Sequence, residues 1–296
     1  MRLMTAMPLV VALVSGCAST TQELFTVSDW TKDGDFTNGI EGPAVDTNGH
    51  LYAVNFKEQG TIGVIPKKMQ PELYVTLPEG STGNGIRFDR HGNMLIADYS
   101  AHNVLKVDAQ SKKVSVYAHN PKMNQPNDIA IAPNGILFAS DPNWANSTGN
   151  LWRVEEGKVT LLESNMGTTN GVEVSPDGRT LYVNESVQRK VYAYDLDASG
   201  NVSNKRTFIE FDDFGMDGMR CDVSGNLYIA RYGAGVVAIV SPEGKLIREV
   251  KLKGQHPTNV AFGGVDGKQV FVTMQKRGAI ETFFTDTPGR AWVEQQ

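Results

Sequence analysis

Six polar residues recur at one phase of the chain, each opening a short apolar run: Glu41, Asn84, Asn127, Asn170, Asp217 and Thr258. The spacings between them are 43, 43, 43, 47 and 41 residues. Carboxylate and amide oxygens are hard ligands and suit calcium. If the fold brings these starts together, Glu41 and Asp217 neutralise a divalent ion. The amide oxygens of Asn127 and Asn170 add neutral ligands, and water completes the shell. Open water positions are what a reacting site needs. No Cys or His belongs to the set, which argues against a zinc cage. Calcium is the expected ion, with magnesium, manganese or zinc as lesser substitutes. A turn-only reading accounts for any single Asn or Asp. It accounts badly for Glu41, and gives no reason for two acids to converge where they repel.

The elements that must position these residues follow from the same phase. From Asn84 the chain reads N-G-I-R-F-D-R-H-G-N-M-L-I-A-D, and from Asn170 N-G-V-E-V-S-P-D-G-R-T-L-Y-V-N. A Gly follows eight residues after each start, at Gly49, Gly92, Gly135, Gly178 and Gly225, and nine after the last, at Gly267. Each unit therefore reads as strand, tight turn and returning strand, followed by a second hairpin. A period of 40 to 50 residues made of short strands marks repeated four-stranded units. The predicted fold is all-β: a six-bladed β-propeller with four antiparallel strands per blade. The last unit shows three clear strands, so residues 23–30 are expected to close the ring, with 291–296 as the alternative. No linker divides residues 23–296, which read as one domain.

In a propeller the first strand of each unit lines the central channel. The six starts then ring one mouth. Position +14 returns beside them, at Asn55, Asp98, Asp141, Asn184, Arg231 and about Thr273. The strand interiors between the two rings read as apolar.

With 28 basic against 33 acidic residues in 296, the formal charge is −5, which excludes the basic profile of a nucleic-acid binder. Residues 1–16, MRLMTAMPLVVALVSG, read as a secretory signal, too short to span a membrane. The run L-V-S-G-C-A-S-T resembles a bacterial lipobox. That implies cleavage before Cys17, a tether over 17–22, and an exported lipoprotein facing the periplasm or cell exterior. Membrane contact is then expected only through the lipid anchor at Cys17. Cys221 alone remains in the propeller, so no internal disulfide forms there.

E-G-P at Glu41, P-N-D at Asn127, T-N-G-V-E-V-S-P-D-G-R-T-L-Y around Asn170 and M-D-G-M-R-C-D-V-S-G-N-L-Y-I-A around Asp217 resemble the gluconolactonase and regucalcin (senescence marker protein) family. The resemblance covers roughly residues 35 to 290. It implies a six-bladed propeller with one divalent metal held by Glu41, Asn127, Asn170 and Asp217. It also implies hydrolysis of sugar lactones or related esters, with Asp217 assisting proton transfer. A-D-Y-S at 97–100 stands where many gluconolactonases carry a Glu-His pair, which leaves the sugar open.

The expected activity is metal-dependent opening of a sugar lactone. Asp217 serves as the base toward an attacking water, and no G-x-S-x-G nucleophile is present. Asn84 is expected to face substrate. Tyr99, Asp141, Arg231 and His256 fall near the same mouth by phase. Arg231 either holds an anionic substrate group or pairs with Asp217 or Glu185. Two alternatives stand beside this reading. One is a phosphotriesterase resembling diisopropylfluorophosphatase, with the same Glu, Asn, Asn, Asp order. The other is a non-catalytic ligand-binding propeller with a structural ion.

Overall fold

The computed structural model describes residues 23–296. The signal segment expected over 1–16, the tether over 17–22 and Cys17 lie outside the described residues. The described residues form six four-stranded antiparallel sheets arranged as successive blades. Blade 1 runs Ala44–Val45, Leu51–Val54, Thr61–Ile65 and Glu72–Thr76. Innermost strands of blades 2 to 6 are Gly83–Phe88, Ile129–Ile131, Thr169–Val174, Met219–Cys221 and Pro257–Gly263.

The ring closes through the N-terminal strand. Ser28–Asp29 pairs antiparallel with Ala279–Phe284, in register Ser28 to Thr282 and Asp29 to Glu281. Trp30 seals this seam with its ring 5.0 Å from Phe271. Residues 291–296 do not supply the closing strand. They lie largely in the helix Arg290–Glu294, at the channel end away from the six starts.

Burial explains why the strands alternate weakly. Inner strands have a neighbouring blade on each face, and Thr169–Val174 and Pro257–Gly263 are buried throughout. Outer strands such as Leu246–Lys251 are mostly exposed. The apolar side chains therefore pack in layers between blades rather than in one central core. Val54 and Ile62 of blade 1 meet Ile86 and Ile96 of blade 2. Leu51 and Ala53 of blade 1 meet Phe271 and Ile280 of blade 6.

The recurrent glycine sits where each inner hairpin turns. Gly178 has φ +69° and donates its N–H to the Ser175 carbonyl at 2.9 Å. Left-handed backbone there is open to Gly and costly for a side chain.

The channel interior is more charged than its sequence suggested. Arg87, Asp128, Glu173 and Arg220 are all buried on inner strands or their starts. Arg87 lies 3.2 Å from Asp128 and 3.9 Å from Glu173, and Arg220 lies 3.5 Å from Asp128. Arg290 enters from the C-terminal helix and meets Glu173 at 2.5 Å. The expectation of apolar strand interiors is corrected here. An inner strand of a closed ring has no solvent face, so these charges pair with one another along the axis.

Candidate functional site

The six starts converge. Glu41, Asn84, Asn127, Asn170, Asp217 and Thr258 all line one open cleft of about 560 Å³ at the channel mouth. Hydrogen bonds running around the ring hold them in place. Asn84 Nδ2 and Gly85 N donate to the Asn127 carbonyl at 3.1 and 2.8 Å. Asn184 Nδ2 donates to the Asp217 carbonyl at 2.6 Å, and Gly218 N to the Thr258 carbonyl at 2.7 Å. Thr258 Oγ1 donates to the Ile40 carbonyl at 3.1 Å, tying blade 6 to blade 1.

In four of the six blades the neighbouring blade leaves no room for a side chain just after the start, and Gly stands there. A Cβ on Gly218 would lie 1.8 Å from Asn259 Cγ, and one on Gly42 would lie 2.0 Å from the Asn84 carbonyl oxygen. Gly85 and Gly171 hold the same phase in blades 2 and 4, while blades 3 and 6 carry the buried Asp128 and Asn259 there. Asn259 Nδ2 donates to Glu41 Oε1 at 2.6 Å, and Asn259 Oδ1 accepts from Arg220 Nη1 at 2.9 Å. One Glu41 oxygen is thereby fixed and the other is left to the cleft.

Three buried oxygens of residues lining the cleft have no hydrogen-bond partner among the described residues, Glu41 Oε2, Asn127 Oδ1 and Asn170 Oδ1, and Asn184 Oδ1 behind them has none either. Each unpaired buried acceptor costs about 1–3 kcal/mol. The electrostatics point the same way. Burial pushes Glu41 up to about 7, and the Asp128 carboxylate adds to the rise against hydrogen bonds that lower it. Burial, and then Glu41, push Asp217 well above the ordinary carboxylate range, against the Asn170 amide that favours its ionised form. Two acids raised by burial and by neighbouring carboxylates, beside unpaired amide oxygens, fit a hard divalent cation. Among the described residues no three His, Cys, Asp or Glu side chains cluster as ligands, so amides have to complete any such shell.

The remaining sequence-derived candidates separate. Tyr99 lines the cleft, half-buried. Asp141 does not line it. Its carboxylate accepts from Asn124 N at 2.8 Å, Gln125 N at 2.6 Å, Asn150 Nδ2 at 3.2 Å and Trp152 Nε1 at 2.8 Å. Arg231 is also outside the cleft, paired with neither Asp217 nor Glu185. Its guanidinium lies 3.6 Å from the Phe211 ring centroid and donates to Asp213 Oδ1 at 2.7 Å and the Asp213 carbonyl at 2.6 Å. His256 stands behind the lining, its ring edge-on to Tyr232 at 4.9 Å. Of the +14 residues only Asn55 reaches the cleft. Tyr232, Gln275 and Ser186 line it without having been singled out; of the two tryptophans that the sequence offers for its border, Trp144 lines it and Trp152 does not. Tyr232 stands fifteen residues after Asp217, as Tyr99 does after Asn84, so one phase argument covers both.

The family model for the SMP-30/Gluconolactonase/LRE-like region matches residues 34–276. The chain belongs to that family. Within it, the gluconolactonase of Zymomonas mobilis is 26% identical over 216 residues, covering 64% of this chain and 60% of the relative. The chain thus spans less than two thirds of that enzyme's length. Regucalcin of Xenopus laevis is 30% identical over 220 residues, covering 70% of this chain and 72% of the relative. Among solved structures, the calcium-binding protein regucalcin of Agrobacterium tumefaciens superposes with a TM-score of 0.77 at 23% identity. That match covers 87% of this chain and 93% of the other. It shows the same propeller fold.

Proposed function

We propose that the chain is a divalent-metal-dependent hydrolase, using calcium, that opens a sugar lactone. The supporting observation is the set of unpaired oxygens of Glu41, Asn127 and Asn170 beside Asp217 on one open cleft. Glu41, Asn127, Asn170 and Asp217 hold the ion. When bound, it supplies Lewis-acid polarisation of the lactone carbonyl. Asp217, partly exposed to the cleft, takes the proton of the attacking water. Asn84, half-buried and anchored to the Asn127 carbonyl, offers the rest of its amide to the substrate. Regucalcin and gluconolactonase relatives support this reading over the phosphotriesterase and the non-catalytic alternatives. The lipobox at Cys17 supports export and a lipid anchor as part of the same proposal.

The test is a panel of aldonolactones and a fluorophosphate, assayed on residues 23–296 with calcium, manganese, zinc or chelator. Lactone opening that chelator abolishes and calcium restores is the expected result. Undiminished turnover in chelator, or fluorophosphate cleavage with no lactone opening, sinks the reading.

Asn259 should tune the ion without touching it. Asn259→Ala removes the N–H that fixes Glu41 Oε1, and calcium affinity is expected to fall about 10- to 100-fold, as for other groups that orient metal ligands. Calorimetry on a variant with unchanged circular dichroism reads this directly. Unaltered affinity would show that Glu41 needs no such support.

A further inference from the structure

We propose that the cleft takes an uncharged, hydroxyl-bearing lactone and rejects one carrying a carboxylate, phosphate or sulfonate. The inference rests on the lactonase reading of this site. Among the described residues, no Lys, Arg or His lines the cleft. Its ionisable acids are Glu41 and Asp217. A divalent ion between them balances those two charges and leaves no cation over for a ligand's anion. Arg231, the basic residue nearest by phase, is 2% exposed, stacked on Phe211 and bonded to Asp213. Turning it into the cleft would forfeit both contacts.

The walls fit a neutral ring. Tyr99 from blade 2 and Tyr232 from blade 5 face each other across a six-membered ring of blades, and Trp144 from blade 3 stands beside Tyr99. Burial pushes the Tyr99 hydroxyl above its ordinary value, with the Trp144 side chain acting against the rise, so it stays neutral. The Tyr232 hydroxyl donates to Gln275 Oε1 at 2.5 Å, and the His256 ring packs edge-on against it, so the Tyr232 ring is fixed in the wall. Between these aromatic walls the polar groups are neutral: the Asn84 amide and the hydroxyls of Thr82, Ser100 and Ser186. Such groups pair with sugar hydroxyls. An anionic arm here would give up part of its hydration with no counter-charge to meet it.

The test compares three six-membered lactones on the calcium-loaded protein: a neutral aldonolactone, its 6-carboxylate and its 6-phosphate. The same three rings are prepared as non-hydrolysable lactams for calorimetry. A neutral preference of about 100-fold in kcat/KM, matched by the lactam affinities, is expected. Gln59→Lys, an exposed substitution at the cleft edge, should narrow that ratio at least about tenfold. Equal or better handling of the anionic compounds overturns the proposal and leaves the lactonase reading intact. If none of the three lactones is opened, the lactonase reading falls, and the lactam affinity ratio alone decides the charge preference.

Discussion

Asp217→Asn should lower kcat about 1,000-fold while calcium still binds, within the range that a positioned base contributes. The substitution keeps an oxygen ligand at the same place and removes the proton acceptor. It also removes one of two charges, so calcium affinity falls and the assay has to be run at saturating metal. Glu41→Gln supplies the contrast. Glu41 is buried beneath the mouth, with Asn259 on one oxygen and the other unpaired. Its loss should act on the calcium dissociation constant, with kcat restored in large part when metal is raised. Titration calorimetry fixes the metal occupancy of each variant, and kcat is compared only at matched occupancy. Turnover of Asp217→Asn within tenfold of the parent under those conditions would remove Asp217 as the base. A Glu41→Gln variant that binds calcium as the parent does would remove Glu41 as a ligand.

How much of this was legible in the chain depends on what kind of constraint each residue answers. The starts were legible because a closed ring brings one phase of every repeat to one mouth, and Glu41 to Thr258 keep that phase. The turn glycines were legible for a local reason, a left-handed backbone angle at each inner hairpin. The +14 ring misled because it lies one strand further from the axis. Asp98 pairs in register with Gly83 and spends its carboxylate on Thr82 N, Ala101 N and neighbouring side chains. Asp141 does the same for the segment at Asn124 and Gln125. At those positions the turn chemistry that explains isolated Asp residues wins. Arg87, Glu173 and Arg220 were illegible because a charge on an alternating strand ordinarily marks a solvent face. Here both faces are covered, and only the closed ring shows that the three meet Asp128 and Arg290. The helix Arg290–Glu294 was missed for a related reason. It is five residues long, without a side-chain cap, and its place is set by Arg290 reaching Glu173.

Removing the metal should make the protein less stable as pH rises from 5 to 8, and calcium should reverse that trend. The folded, metal-free protein holds Glu41 at about 7 against an ordinary value of 4.5, chiefly through burial and then through Asp128. A group raised on folding contributes its stability in full below its unfolded value and loses it as pH climbs through the folded one. For Glu41 the loss falls between about pH 4.5 and pH 7 and amounts to about 3 kcal/mol at most. Asp217, raised by burial and by Glu41, acts in the same direction. Carboxylates held low, such as Asp177 by the Ser175 hydroxyl and Asp195 by Asn204 and Arg206, act oppositely. Their effect is confined to acid below the ordinary carboxylate range, outside this window. Calcium binds the ionised pair, so at pH 8 an excess of about 100 times its dissociation constant should raise Tm by about 5 °C. Below pH 5 the same addition should do little, because protons hold the site. Calorimetry at pH 7 in buffers of different ionisation enthalpy should show protons released as calcium enters. A chelated protein whose Tm rises from pH 5 to 8, with no proton release on adding calcium, would show that these two acids do not share a cation.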